Sequence, residues 1–372
     1  MQPSSALPTV AVIGGYGGTG RAIAGALLQH SELAVRIVGR DLGRAECCAS
    51  ELAAAHGARV EARRGDATDA AGLAEALREV SVVVMATTAL RAPSALPQAA
   101  VAAGTDVVDI RPDGAALTEA SAHGGAVAER GIRYLAQAGF SPGLPSLLVR
   151  LAASRHPGID AIRLGIVLGM AGATNPEQVS SFLELLPEMR CRVYDGAWRE
   201  GSYSRDVETF DFPLGIGVRR CYPYLIEELE ALPEELGVKK LGIYGAGTSW
   251  FTDMLVTPLA VGLHKLRPGL LRRPLSRMYL WGARHTGARA SGAALLMDAR
   301  RAGAPLLSAA VWSADAYGVT AAPVVAAVRQ LLAPSSRLPA GLSAMGRVLD
   351  PEATLDDLRS QGISVTVEGA EP

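Results

Sequence analysis

The first 140 residues alternate between two kinds of segment, and this alternation restricts the fold more than any other feature of the sequence. Strands that alternate with helices form βαβ units, and right-handed crossovers then place the strands in one parallel sheet. We therefore predict an α/β fold with an amino-terminal, doubly wound parallel sheet of the Rossmann type. The predicted strands are 9–13, 35–38, 59–62, 80–85, 107–110 and 132–136, and the predicted helices between them are 20–29, 44–56, 70–78 and 96–103.

The pattern changes after about residue 145, where shorter, mixed elements replace the regular alternation. This composition predicts a second, α+β domain. Its predicted strands are 162–168, 192–194, 206–212 and 240–244, and its predicted helices are 252–265 and 274–284. A polar break at 333–339 precedes a last helix and a last strand. The predicted domains are accordingly 1–145, 146–334 and a carboxyl-terminal tail, 335–372.

Composition and charge exclude several classes of protein. The 36 basic and 37 acidic side chains leave a formal charge of −1, so we expect no nucleic-acid partner. The four cysteines form no C-x-x-C pair and the six histidines are scattered, so we predict no metal site. Isolated thiols suit a reducing compartment, residues 1–8 do not resemble a signal peptide, and no apolar run approaches the roughly 18 residues of a membrane span. These features predict a cytoplasmic protein.

A glycine-rich loop follows the first predicted strand and carries the strongest functional signal. The pattern G-x-G-x-x-G occurs at Gly15, Gly17 and Gly20. In dinucleotide-binding domains these glycines allow a tight turn, approach of the pyrophosphate and close packing of helix and strand, and the helix amino terminus faces the anion. The alternative is a structural turn. We predict a cofactor loop of Gly15, Tyr16, Gly17, Gly18, Thr19 and Gly20, in which Tyr16 either covers the cofactor or packs.

The end of the second strand bears on the choice between NADP and NAD. NAD-binding domains usually place an acidic residue there, about 20 residues past the loop, but Gly39 takes this position and Arg40 follows. A guanidinium donates two parallel hydrogen bonds to a 2′-phosphate, and Arg44 lies one helical turn further on. We therefore expect NADP (NADPH), bound through Arg40, in preference to NAD. The rival is Asp41, whose carboxylate suits a ribose hydroxyl of NAD.

The segment after the third strand, 64–69, contains a further cofactor signal. The Asp66 carboxylate suits the adenine amino group, and we assign Asp66 and Ala67 to the cofactor site. The alternative is a helix cap formed by Thr68 or Asp69. Both assignments are compatible, with Asp66 on the adenine and Asp69 as the cap.

Several of these segments resemble the saccharopine dehydrogenase-like (saccharopine reductase-like) oxidoreductases. The resemblance rests on the glycine loop at 15–21, the pair at 39–40, the segment 65–69, the sequence AGFSPGLP at 138–145 and the tail from 339 to 363. It implies a Rossmann domain, a substrate-binding and dimerisation domain, and a tail that returns to the Rossmann domain. It also implies hydride transfer with NADPH to an imine of an amino-acid derivative, or in other relatives to C=C bonds of lipids or polyketides. Segments 86–91 and 109–113 depart from the family's tyrosine-bearing patterns, so the resemblance does not carry over an amino-acid substrate.

The carboxyl ends of the predicted parallel strands should hold the reacting groups, because ligands of doubly wound sheets bind there. Thr87 and Thr88 follow the fourth strand and are predicted to contact the cofactor. Gln137 and Ser141 follow the sixth strand and are predicted to contact a small-molecule substrate.

The predicted catalytic residues, Asp109, Arg111 and Asp113, follow the fifth strand. Arg111 suits a substrate carboxylate or carbonyl oxygen, and an aspartate whose pKa is raised by burial suits proton transfer. The alternatives are an Asp109–Arg111 ion pair and a helix cap by Asp113. His285 and Tyr203 are isolated candidates for a proton donor.

Segment 251–286 combines large apolar residues with six basic residues and one acidic residue, Asp253. One interpretation is a basic amphipathic surface that contacts an acyl carrier, an acyl chain or anionic lipid. The other, which we favour, is a helix pair that closes the active site or forms a homodimer.

Three functions follow from these patterns. The first is an NADPH-dependent biosynthetic reductase acting on a C=N bond of a small metabolite, or catalysing the reverse amine oxidation. The second is an enoyl (C=C) reductase acting on a carrier-bound or hydrophobic acyl substrate. The third is an NADP-binding sensor without turnover.

Overall fold

The chain folds into two compact units, each of which is built from two separate segments of the sequence. The first unit comprises Met1–Leu147 and Thr320–Gly362, and the second comprises Leu148–Val319 and Ile363–Pro372. The structure is a computed structural model. It describes residues 7–57, 59–87, 93–112, 114–169, 179, 183, 190–247, 249–267, 270–287 and 292–369, with the side chains of Lys265 and Arg272 excepted.

The first unit is built on a seven-stranded parallel sheet. Its strands are β1 (Thr9–Ile13), β2 (Ala34–Gly39), β3 (Val60–Arg64), β4 (Val82–Met85), β5 (Asp106–Asp109), β6 (Arg133–Ala136) and β15 (Gly341–Ala344). The strand order is β15-β6-β5-β4-β1-β2-β3, and each neighbouring pair is parallel. Because the order reverses at β1, loops leaving β1 and β4 in opposite directions open a crevice at their carboxyl ends. The predicted doubly wound Rossmann sheet is confirmed.

Helices connect these strands, and three of them begin with an aspartate cap. Asp41, Asp69 and Asp350 each accept a hydrogen bond from a backbone N–H in the first turn of the helix that follows. The helices are α1 (Gly18–His30), α2 (Leu42–His56), α3 (Ala70–Ala76), α4 (Leu96–Ala103), α5 (Gly114–Ala122), α6 (Gly124–Glu129), α7 (Leu144–Arg155), α11 (Ala316–Leu332), α12 (Met345–Val348) and α13 (Pro351–Ser360). The predicted cap by Asp69 is therefore present.

The second unit contains a nine-stranded mixed sheet. Its strands are β7 (Ala161–Gly169), β8 (Arg192–Asp195), β9 (Trp198–Glu200), β10 (Glu208–Phe212), β11 (Gly217–Tyr224), β12 (Lys240–Ala246), β13 (Gly292–Arg301), β14 (Ala304–Ser313) and β16 (Ser364–Gly369). Strand β7 is parallel to β12 and antiparallel to β13. The helices described in full include α8 (Leu232–Leu236), α9 (Thr257–Leu266), which continues a π-helical turn at Thr252–Val256, and α10 (Arg272–His285). The structure agrees with the predicted second, mixed domain, and the predicted α/β fold class is confirmed.

The carboxyl-terminal tail divides between the two units. Strand β15 extends the parallel sheet through its pairing with β6, whereas β16 pairs antiparallel with β14 of the second unit. The prediction keeps all of 335–372 with the Rossmann domain, and the structure assigns 363–372 to the second unit. In the described part of the chain, no helix has both the length and the apolar character needed to cross a membrane.

Candidate functional site

The glycine-rich loop turns tightly from β1 into α1. The backbone N–H of Gly14, a residue with φ +76°, donates to the carbonyl of Val38 at 2.8 Å, and the N–H of Gly17 donates to the carbonyl of Gly14 at 2.9 Å. Gly17 is the N-cap of α1, and no side chain caps this helix end. No capping side chain therefore accepts a hydrogen bond from the first N–H groups of α1. Unpaired N–H groups at the amino terminus of a helix are the arrangement that binds a pyrophosphate.

Gly20 is required by the close packing of α1 on this turn. A Cβ atom added at Gly20 would lie 2.3 Å from the Gly14 carbonyl oxygen and 2.9 Å from the Gly15 Cα. Both are backbone atoms, so no side-chain movement relieves the overlap. The predicted role of the third glycine in helix–strand packing agrees with this geometry.

A cavity of about 700 Å³ lies beside the loop, at the carboxyl ends of β2 and β3. Three exposed arginines surround it: Arg40 follows β2, Arg44 lies in the first turn of α2, and Arg64 ends β3. Tyr16 also lines the cavity, and the Arg44 guanidinium carbon lies 4.5 Å from the centre of the Tyr16 ring. Three guanidinium groups around one cavity favour a phosphate ligand.

The strand end that carries an acidic residue in NAD-binding domains has no room for a side chain here. A Cβ atom added at Gly39 would lie 2.1 Å from Cε1 of Tyr16. The rival acid, Asp41, caps α2, where its Oδ1 accepts from the Arg44 N–H at 3.1 Å. The ring of Tyr16 and the cap formed by Asp41 thus both act against the ribose contact expected for NAD.

Asp66 lies partly buried behind the arginines. Its Oδ1 accepts hydrogen bonds from the Thr68 N–H at 3.0 Å and the Thr68 hydroxyl at 2.8 Å. These bonds, with the positive charges of Arg40 and Arg64, hold the pKa of Asp66 below its ordinary value. Asp66 is therefore an ionised acceptor that interacts electrostatically with two arginines of the cavity. Ala67 is buried, and its carbonyl accepts from the Ala95 N–H at 2.7 Å.

Thr87 contacts the glycine loop from the end of β4. A Cβ atom added at Gly14 would lie 3.0 Å from the Thr87 Cβ, which shows how closely the two segments approach. The carboxyl ends of β1 and β4 are therefore adjacent at the crevice. Thr88 lies outside the described residues.

Asp109 and Arg111 form a buried ion pair after β5. Their side chains are 2% and 3% exposed. Arg111 Nη2 donates to Asp109 Oδ2 at 2.8 Å, and Arg111 Nε lies 3.1 Å from both carboxylate oxygens. Arg111 Nη1 donates to Glu119 at 2.8 Å, and the Tyr134 hydroxyl donates to Asp109 at 3.0 Å. Asp113, the third predicted catalytic residue, lies outside the described residues.

The charges in this network are compensated within the protein. Burial opposes a charge on Arg111, yet the hydrogen bonds and negative charge of Asp109 outweigh it and raise the pKa of the guanidinium. Burial and the neighbouring Asp109 raise the pKa of Tyr134 well above its ordinary value, so its hydroxyl keeps the proton that it donates. The pair matches the alternative given by the sequence, an Asp109–Arg111 ion pair, and the catalytic assignment stays a prediction.

The two predicted substrate residues follow β6. Gln137 is buried and adopts φ +54°, a left-handed conformation that costs a residue other than glycine energy. The next N–H, that of Ala138, donates to the Asp109 carbonyl at 2.9 Å and holds this turn against β5. Ser141 is partly buried and precedes a cis peptide bond to Pro142. The strained backbone at Gln137 is consistent with a functional turn, and the substrate role of both residues stays a prediction.

The isolated candidates lie in the second unit. The His285 ring stacks on Trp281, with 5.1 Å between ring centres, and Tyr203 is 60% exposed. Among the residues that the structure describes, no group of three or more His, Cys, Asp and Glu side chains is placed to hold a metal ion.

Comparison with known proteins assigns the first unit to a family. Residues 10–137 match the family model described as the saccharopine dehydrogenase NADP binding domain. Within the first unit, the segment 10–137 is therefore the part that matches a saccharopine dehydrogenase NADP-binding domain. The match confirms the resemblance drawn from the sequence motifs and the expectation of NADP as the cofactor. No curated protein matches the chain in sequence.

A solved structure shows the same fold over the chain. Apo histidine-tagged saccharopine dehydrogenase (L-Glu forming) from Saccharomyces cerevisiae has a TM-score of 0.64 at 13% identity, with 98% of this chain and 100% of that chain covered. GenD2 from gentamicin A biosynthesis, solved in complex with NAD, has a TM-score of 0.43 at 15% identity, with 98% and 97% covered. The match with a TM-score of 0.64 shows that the saccharopine dehydrogenase fold extends over both units.

Two groups of residues in the first unit belong to the site but are not predicted from the sequence. Arg64 lines the phosphate-favouring cavity, and the pair of arginines that ends the third strand is the available signal. Glu119 and Tyr134 complete the buried network, and they lie 8 and 25 residues from their partners. No local pattern links residues at such separations.

Proposed function

We propose that the chain is an NADPH-dependent oxidoreductase that transfers a hydride between the cofactor and a C=N bond of a small metabolite. The observation that carries the proposal is the pairing of a glycine loop at the amino end of α1 with three arginines around one cavity. The NADP-binding family of the first unit and the dehydrogenase fold over both units support the reaction class.

The residues present fit NADPH. The uncapped amino end of α1 suits the pyrophosphate, and the glycines leave space that side chains would fill. Arg40, Arg44 and Arg64 would hold the 2′-phosphate, and Asp66 is an ionised acceptor suited to the adenine amino group. Bound NADPH supplies the hydride. The chain supplies binding, orientation and exclusion of water.

Arg111 and Asp109 enter this proposal as positioning residues. Each guanidinium nitrogen of Arg111 already donates to a carboxylate, and Glu119 in turn accepts from the Ser94 N–H at 3.1 Å. Ser94 lies next to Ala95, whose N–H donates to the carbonyl of Ala67. The network thus connects the segment after β5 with the predicted adenine segment and would hold both in place.

The alternative substrate is a hydrophobic acyl group with a C=C bond. One observation favours it: α9 and α10 expose large apolar side chains, such as Leu266 at 80% and Trp281 at 52%. An exposed apolar surface on a reductase suits binding of an apolar substrate.

Turnover with two substrate sets tests these proposals. The purified protein is mixed with NADPH and either cyclic and acyclic imines or enoyl thioesters, and the absorbance of the reduced nicotinamide is followed. Oxidation of NADPH by imines supports the first function, and oxidation by enoyl thioesters supports the second. Tight NADPH binding without oxidation by either set contradicts both and leaves a sensor.

An arginine variant provides the matched comparison. Arg40→Gln should raise the KM for NADPH, because a hydrogen bond to a charged group contributes about 1.5–3 kcal/mol to binding. Arg63→Gln alters an exposed arginine near the end of β3 that does not line the cavity, and should leave the KM for NADPH unchanged.

A further inference from the structure

The second unit exposes a group of large apolar side chains, here called the hairpin face, on or next to the π-helical turn, α9 and α10. Its side chains are 39–80% exposed, although residues of this size and polarity are usually buried. The hairpin face consists of Trp250, Met254, Leu255, Leu259, Leu266, Leu271, Met278 and Trp281.

These exposed residues are not needed to hold the two helices together. The opposite sides of the same helices form a separate buried cluster that contains Val256, Ala260, Leu275 and Tyr279. In the π-helical turn and α9, the exposed positions are spaced by three to four residues, so they form a stripe along the helix separate from the buried one. These positions are 254–255, 258–259, 262 and 266. The segment is therefore apolar on two sides, one packed and one exposed.

The outer side of α10 is divided into an arginine strip and an apolar strip. Arg273, Arg277 and Arg284 are exposed and lie at i, i+4 and i+11, along one line of the helix. Met278 and Trp281 lie at i and i+3 on the adjoining line. Arginines thus border apolar side chains along the length of one helix.

Aromatic contacts join the two helices into one surface. The ring of Phe251 lies 5.3 Å from that of Trp281 and 5.9 Å from that of Trp250, both measured between ring centres. The apolar strip of α10 therefore continues into the exposed turn that precedes α9.

We propose that the hairpin face binds the surface of an anionic lipid bilayer. Leucine and methionine side chains would enter the acyl region, the two exposed tryptophans would lie at the headgroup level, and Arg273, Arg277 and Arg284 would contact lipid phosphates. This inference stands apart from the proposed redox function.

The positive charge of the hairpin face favours a lipid surface over a second copy of the chain as its binding partner. A two-fold interface places the same residues of both copies against each other. Between residues 249 and 287 the sequence holds six lysines and arginines and a single acid, Asp253. Two such faces would bring the arginines of both copies together, whereas an anionic bilayer supplies the opposite charge and an apolar layer.

Cosedimentation of the full chain with vesicles tests the proposal. We expect binding to vesicles of phosphatidylcholine and phosphatidylserine, weak binding to phosphatidylcholine alone, and loss of binding as salt is raised. The variant Arg273→Gln/Arg277→Gln should weaken binding roughly fivefold for each arginine, about 1 kcal/mol per residue. The variant Leu259→Gln/Leu266→Gln should weaken binding at least about tenfold on either vesicle.

A control variant of the same unit is Val218→Gln/Arg220→Gln, which alters an exposed apolar residue and an exposed arginine on β11. It should bind vesicles like the unaltered chain, and all variants should keep the far-ultraviolet dichroism of a folded protein. Equal binding of all variants overturns the proposal, as does failure of the unaltered chain to bind anionic vesicles at low salt. A dimer in sedimentation equilibrium that is lost in Leu259→Gln/Leu266→Gln, without vesicle binding, assigns the face to a second copy instead.

Discussion

Replacement of Arg111 by methionine tests whether the buried ion pair is structural. The change removes every side-chain hydrogen bond that Arg111 makes to the carboxylate of Asp109, which is 2% exposed. The hydrogen bonds from Tyr134 and from the Arg111 N–H remain, at 3.0 Å each. Removal of one partner from a buried pair costs about 3–5 kcal/mol, because the other charge stays buried and uncompensated. Loss of the Glu119 contact adds less, since that side chain is 20% exposed.

Differential scanning calorimetry measures this cost. For a domain of 150–250 residues, about 1 kcal/mol lowers Tm by roughly 2–4 °C, so Arg111→Met should lower Tm of the first unit by roughly 6–20 °C. The double variant Asp109→Asn/Arg111→Met should recover part of the loss, because it leaves no unpaired charge. Arg63→Met, at an exposed position, should change stability by less than about 0.5 kcal/mol.

The opposite result would assign Arg111 to the chemistry. If Arg111→Met keeps Tm and NADPH affinity but loses turnover, the residue acts on substrate, as the sequence predicts, and the structural interpretation is refuted.

Three further predictions concern the cofactor site and the second unit. Arg64→Gln should weaken NADPH roughly tenfold or more in calorimetric titration and leave NADH unaffected, because only NADPH carries the 2′-phosphate; equal losses would remove Arg64 from the site. Gly20→Ala should abolish NADPH binding and destabilise the first unit by about 1–3 kcal/mol, while Gly25→Ala, whose added Cβ would lie 3.8 Å from Leu52, should not. Burial raises the pKa of Asp253 from 3.8 to about 6, so the folded state holds a proton that the unfolded state releases, and the free energy of unfolding should fall by about 2–3 kcal/mol between pH 4 and pH 6. Urea denaturation of Asp253→Asn should lack this fall; the same slope in that variant would exclude Asp253 as its source.

The first unit is largely predictable because local signals agree with the fold. The strand Thr9–Ile13 and the helix Leu96–Ala103 have the bounds that the sequence predicts. Buried β-branched strands, glycine turns and aspartate caps each favour the same element at the same place.

The second unit is less predictable, because tertiary pairing decides its elements. The residues of β13, rich in Ala, Leu and Met, favour a helix, yet they form the centre of a sheet between β7 and β14. The long helix α11 contains Pro323 and several valines, which disfavour helix in an isolated segment. Burial of Val324, Val325 and Val328 stabilises it instead.

At the candidate site, the sequence predicts which residues lie at the crevice edge but not which side chains pair. Arg40 is correctly placed after β2, beside the cavity. Asp109 and Arg111 also lie at the predicted strand end, but Glu119 and Tyr134 determine that their charges are satisfied internally. The contact with Tyr16 that leaves no room for a Cβ atom at position 39 depends on where the glycine loop turns, which no pairwise sequence pattern specifies.

Titration of the purified chain with NADPH and with NADH, followed by cofactor fluorescence in the absence of substrate, tests the central claim most directly. The glycine loop and the three arginines predict that NADPH binds at least about tenfold more tightly than NADH. Equal or tighter binding of NADH would contradict the role of the arginine cavity, and failure of both cofactors to bind would contradict the role of the glycine loop as well.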